Sequence, residues 1–171
     1  MKTRLIVWVS IFTFFLLSHL CYAVQDIDKE FKLLKMDSTH FTFGLGMAGN
    51  PFLGAVNKDG FGYPKNELGL SNWLGFSYTW IHGVPSEEEI DDAFKQVKAE
   101  YGKDNIRSYE IPRLVKSKIN KNVFNYFTAG TVFLLYPLNF EVGWMWVSDN
   151  VRFRFGLGLP VLLAFGINFD F

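Results

Sequence analysis

Residues 138–159 read LNFEVGWMWVSDNVRFRFGLGL, and every second position from Leu138 to Trp146 is large and apolar. The alternation resumes after a polar break, with Val151, Phe153, Phe155, Leu157 and Leu159 on one side and Arg152, Arg154, Gly156 and Gly158 on the other. A period of two places successive side chains on opposite faces of a strand, so each segment is a strand with one apolar face. A four-residue loop at 147–150 pairs Trp146 with Val151. That register sets Glu141 opposite Gly156 and diagonal to Arg154, and an ion pair is expected inside a small barrel. Glu141, Arg152 and Arg154 are accordingly read as a polar cluster in the lumen.

Working upstream, Phe127, Ala129, Thr131, Phe133 and Leu135 form a similar face. The dipeptide Tyr136-Pro137 reads as a two-residue hairpin turn, which leaves Leu135 and Leu138 on the same side. Downstream, Val161, Leu163, Phe165, Ile167, Phe169 and Phe171 continue the pattern to the last residue. In a soluble sandwich the apolar face would be the core. Here the outward residues are bulky, and aromatic side chains (Trp80, Trp144, Trp146, Phe169 and Phe171) stand near strand ends, as in the girdles of a membrane-spanning barrel.

The ending AFGINFDF, residues 164–171, resembles the C-terminal signature of Gram-negative outer-membrane β-barrels. Gly166, Phe169 and Phe171 match it, and Ile167 continues the apolar alternation from Leu163 and Phe165. Ala164 departs, standing where a polar residue is usual. The resemblance implies a cell outer-membrane location, outer-membrane lipid as surroundings, and the barrel assembly machinery as the partner that reads Gly166, Ile167, Phe169 and Phe171. It implies no particular activity.

The start of the chain agrees with export. MKTR supplies a positive segment, LIVWVSIFTFFLL an apolar one, and Cys21 and Ala23 are the small residues before a cut after Ala23, so residues 1–23 read as a signal peptide. The alternative is an uncleaved anchor, since residues 5–22 approach the roughly 20 apolar positions that span a bilayer. Cys21 is the only cysteine. Cleavage would therefore remove every thiol, and with it any disulfide or thiolate chemistry.

Residues 24–38 form an amphipathic N-terminal segment, with Ile27, Phe31 and Leu34 at helical spacing, expected to cover a barrel end. Residues 39–171 form the barrel domain. Within it, SEEEIDDAFKQVKAEYGKD carries a capping-box pattern at Ser86 and Glu89, early acids, later lysines and a stop at Gly102, which predicts an inserted amphipathic helix over 86–103. Its stripe is Ile90, Phe94, Val97 and Tyr101. Clear strands number about six: near 40–48, 69–81, 123–135, 138–147, 151–158 and 161–171. Single-chain barrels begin at eight, so two irregular strands from 106–117 and the 50–67 loop are expected. Pooling strands in a homo-oligomer is the alternative. The fold class is all-β, a small antiparallel transmembrane β-barrel of eight strands.

Chemistry is sparse in the sequence. Lysine plus arginine and aspartate plus glutamate are 17 each, so no nucleic-acid footprint is indicated. GLGMAG at 44–49 matches G-x-G-x-x-G, but no helix follows to meet a pyrophosphate, and no cofactor is expected. His40 near Asp37 and Ser38 invites a hydrolase reading, yet residues so close in an extended chain rarely converge. His82 lacks a second histidine for a metal site, and none is assigned. Catalytic residues are likewise not assigned. The leading reading is a structural, adhesive or surface-interacting outer-membrane barrel with a filled lumen. The alternatives are an outer-membrane lipid-modifying enzyme using Ser38 and His40, and a soluble periplasmic barrel for a lipophilic ligand.

Overall fold

The computed structural model describes residues 26–45, 51–71, 75–131, 138–159 and 162–171. Residues 1–23, the 46–49 part of GLGMAG, Leu74, Phe133, Leu135, the Tyr136-Pro137 pair and Val161 lie outside them. In chain order the elements are α1 (Ile27–Leu34), β1 (Asp37–Leu45), β2 (Pro51–Asp59), β3 (Pro64–Ser71), β4 (Phe76–His82), α2 (Glu87–Tyr101), α3 (Ile111–Ile119), β5 (Val123–Thr131), β6 (Leu138–Ser148), β7 (Val151–Leu159) and β8 (Leu163–Asp170), with two single 3₁₀ turns between α2 and α3.

The eight strands form a closed barrel in which every neighbour is antiparallel and consecutive, and β8 returns to β1. Closure is achieved within one chain, without strands from a second subunit. The last residue takes part, since Phe171 N–H donates to Phe41 O at 2.8 Å. An unpaired edge is thereby removed at the seam.

The two strands that the sequence hides differ from the expectation. Residues 51–59 do supply a strand, β2, but apolar Phe52 and Val56 point inward while Leu53 points outward, so apolar residues occupy both faces and the alternation is masked. The segment 69–81 is two strands, not one. β3 begins at Pro64, and its polar run Lys65, Asn66 and Glu67 resembles loop because Glu67 faces the lumen. Residues 106–117 give no strand. Pro112 sits in the first turn of α3, where its missing N–H costs nothing, and Ile111 and Val115 are buried one helical turn apart.

Registers also differ. The pair Thr131–Leu138 replaces the expected pairing of Leu135 with Leu138, and the Tyr136-Pro137 turn itself lies outside the described residues. Between β6 and β7 the turn is Asp149-Asn150, with Asp149 at φ +47° and Ser148 opposite Val151. Glu141 therefore faces Gly158, and Arg154 faces Met145. Both shifts are even, so every side chain keeps its predicted face while its cross-strand partner changes.

Three helices close one end of the barrel. The N-cap of α2 is the predicted box, with Ser86 N–H donating to Glu89 at 2.7 Å and Glu89 N–H donating to Ser86 Oγ at 3.2 Å. Gly102, at φ +76°, ends the helix with its N–H on Lys98 O. The buried stripe is Ile90, Ala93, Phe94 and Val97; Tyr101, expected in it, is the last residue of the helix and is exposed. Phe31 of α1 stacks on Phe94 with ring centroids 3.8 Å apart and meets Phe61 of the β2–β3 turn edge-on. These helix residues share one continuous core with Ile81, Phe124, Met145 and Val147, the inward residues at the ends of β4, β5 and β6. Burying each such side chain contributes about 1.5–3 kcal/mol, which is what holds the cap on the mouth.

Candidate functional site

The barrel is polar inside and apolar outside. Every strand turns at least one large apolar side chain outward, from Phe41 and Phe43 on β1 and Leu53 on β2 to Phe165 and Phe169 on β8. Aromatic rings continue across the strands: Trp80 stacks with Phe127 and Phe127 with Phe140, while Trp144 stacks with Phe155 and Trp146 with Phe153. Trp80, Trp146 and Phe169 each stand within two residues of a strand end at the capped rim, and Trp144 stands one pleat farther in. Ile167 faces outward beside Phe153 and is half-buried, whereas Gly166 faces Arg154.

The lumen holds a chain of alternating charges. Lys58 on β2 pairs with Asp170 on β8, and Asp170 accepts from Arg152 Nε at 2.9 Å and Nη2 at 2.8 Å. Arg152 also donates to Thr42 Oγ1 at 2.9 Å and pairs with Glu67 on β3, which in turn pairs with Arg154. Glu141, Arg152 and Arg154 all lie inside the barrel, but Glu141 is not the ion partner expected for Arg154. The two-residue turn moves Glu141 away along the strand, and its carboxylate accepts instead from the Tyr126 hydroxyl. The Arg154 guanidinium lies over the rings of Tyr126 and Phe52, 5.7 and 5.6 Å from their centroids. Buried charges need such partners, because an unpaired one carries a large desolvation cost.

Sequence reasoning missed Glu67, Lys58 and Asp170 as network members. Asp170 was legible as an inward residue of the terminal strand. Glu67 and Lys58 were not, because 50–67 was expected to give only an irregular strand with no assigned faces. Inward glycines make the packing possible: a Cβ on Gly69 would fall within the ring of Phe52. Gly44, the first glycine of GLGMAG, likewise faces the lumen against the β8 backbone at Asn168. Its role there is the close approach of two strands.

Ser38 and His40 do converge. They are two apart on β1 and so project from one face, with Ser38 Oγ and His40 Nε2 2.8 Å apart at the capped mouth. Asp37 points the other way and pairs with Lys65 at 2.5 Å, so it does not orient His40. His82 is exposed at the end of β4. Among the described residues no group of three or more His, Cys, Asp or Glu is arranged to hold a metal ion, and no helix is long and apolar enough to cross a membrane.

In the cap, Asp28 of α1 accepts from Lys103 at 2.8 Å and from Lys98 at 3.1 Å, and these two ammonium groups hold its carboxyl below the usual carboxylate range. Lys35 pairs with Asp91 at 2.6 Å, a second tie between α1 and α2. Beneath the cap, Tyr63 in the β2–β3 turn is buried, and burial, helped by the charges of Asp59 and Glu89, pushes its hydroxyl up to about 12. It is a neutral packing residue at ordinary pH. Comparison of the chain with protein-family profiles, curated proteins and solved structures finds no match.

Proposed function

We propose that the chain is an integral outer-membrane β-barrel with a lumen closed by side chains, serving a structural or surface-interacting role, and that its helical cap faces the periplasm. The carrying observation is the inverted polarity of the barrel. Apolar side chains form the exterior of all eight strands, while Glu67, Arg152, Asp170 and Lys58 are buried within. Soluble monomers rarely expose an apolar patch beyond a few hundred Å², whereas this pattern is the requirement for a barrel in lipid. An eight-strand barrel has room for its own side chains and little more, and here the charged network, with Phe52 and Val56 packed beside it, occupies that room.

Both termini of the barrel and the whole 83–122 cap segment lie at one rim. At the other rim the ends of β1 and β2, β3 and β4, β5 and β6, and β7 and β8 are joined by only three to six residues of chain, too few for a large adhesive surface. Interaction is therefore assigned to the cap, on the side where the terminal Phe171 would be read during assembly. The test is fractionation of cells producing the wild type and a form lacking Phe171. Insertion predicts wild type in the outer membrane with slower migration of unheated samples on gels, and loss of insertion without Phe171. Both forms soluble in the periplasm would sink the reading.

The Ser38–His40 contact favours one second reading, a lipid-modifying enzyme. Here Ser38 would be the nucleophile and His40 its base. Unchanged membrane lipids, by mass spectrometry, between cells carrying wild type and Ser38→Ala would remove it.

A further inference from the structure

A cavity of about 510 Å³ opens at the capped mouth between the start of β1, the β2–β3 turn, α3 and the β6–β7 turn. We propose that it is a binding site for a small phosphate monoester. Its size lies in the range of small-molecule sites, roughly 300–1,000 Å³. Three cations reach it from two directions: Lys58 from the barrel, and Arg113 and Lys116 from one face of α3. Ser38, with its hydroxyl against His40, adds neutral hydrogen-bonding groups on the barrel side.

The anions nearby leave Arg113 unmatched and Lys116 only loosely matched. Asp59 is turned back into its own turn, where Oδ1 accepts from the N–H groups of Phe61 and Tyr63 at 3.0 Å each. Asp149 reaches Lys116 only at 3.8 Å, with its side chain 94% exposed. Asp170, below the cavity, pairs with Lys58 and Arg152, so Lys58 brings a charge already matched and the cations left for a ligand are Arg113 and Lys116. Arg113 is exposed, and its planar fork is free to take two oxygens of one anion. A monoester presents three terminal oxygens and close to two negative charges, which matches Arg113 and Lys116 together better than the single charge of a carboxylate.

The phosphate could be carried by a soluble ester or by a lipid headgroup, and two arms distinguish them. In the first, glycerol 3-phosphate is titrated calorimetrically into the detergent-solubilised full chain. In the second, native mass spectrometry records retention of phosphatidic acid by the protein released from phosphatidylcholine nanodiscs doped with it. Binding in either arm supports the site and identifies the source. Arg113→Gln and Lys116→Gln should each weaken binding about tenfold or more, the loss expected for a charged hydrogen bond. Lys29→Gln, on the exposed side of α1, should leave it unchanged. Arg113 is exposed, so its variant is expected to keep the heat-dependent gel shift of the folded barrel. No binding in either arm, equal binding of glycerate, or full binding by a folded Arg113→Gln, Lys116→Gln double variant would overturn the proposal. Binding of the soluble ester does not require membrane insertion, so this result stands apart from the fractionation test.

Discussion

Arg152 on β7 and Glu67 on β3 form an ion pair across the full diameter of the barrel: their strands stand four apart in a ring of eight, and neither side chain is exposed. Such a pair braces opposite walls. Glu67→Gln would leave Arg152 and Arg154 facing each other without their shared anion, and breaking a buried pair costs about 3–5 kcal/mol. Urea unfolding in detergent should show a loss of that size. A loss under about 1 kcal/mol would mean that the brace carries little.

Tyr126 and Glu141 form the second interior contact. Tyr126→Phe keeps the ring under Arg154 but leaves a buried carboxylate without its donor. The expected destabilisation is about 1–3 kcal/mol, measured in the same titration. Because the two contacts use different carboxylates, a Glu67→Gln, Tyr126→Phe double variant also reports their coupling through Arg154.

Gly69 accommodates the Phe52 ring from the neighbouring strand. Gly69→Ala should destabilise by about 1–3 kcal/mol through overpacking. Phe52→Leu in the Gly69→Ala background should recover part of that loss. No recovery would show that the backbone, and not the ring, rejects the methyl group.

The cap should loosen in acid. The folded-state carboxyl of Asp28 is held below its ordinary value by Lys103 and Lys98. A lowered folded value contributes stability above the unfolded value, about 3.9, and that contribution is lost as pH falls through the folded value. Hydrogen exchange of α1 should therefore accelerate selectively below about pH 4. Asp28→Asn should have faster exchange at neutral pH and a smaller acid response.

A lysine placed on the outer band distinguishes lipid from water. Val142 points outward and is 59% exposed on β6. In a bilayer Val142→Lys should cost about 2–4 kcal/mol near the midplane. Unfolding titrations in phospholipid vesicles measure it, and a change near zero would place Val142 in water.

How far the residues could be read in advance follows from the range of each interaction. The faces of β5 to β8 are local, since alternation needs only neighbours in the chain, and even errors of register at Thr131–Leu138 and Ser148–Val151 left those faces intact. The capping box of α2 is equally local. β2 was legible only as an irregular strand within 50–67, and the start of β3 not at all, because Phe52 and Val56 fill the lumen beside a charged Glu67 and neither strand has a uniform face. Alternation could place Glu141, Arg152 and Arg154 together on the inner side, yet it could not choose among their partners.

Composition and period thus establish strands with one apolar face, because side-chain direction in a strand is set by backbone geometry alone, while alternation does not say whether that face points in or out. Closure decides the rest. Bringing β8 to β1 places Glu67 opposite Arg152, some 85 residues later, and sets Ser38 and His40 beneath α3 at a mouth assembled from separate segments. Those relationships depend on the curvature and register of the whole ring, which no local window of residues contains.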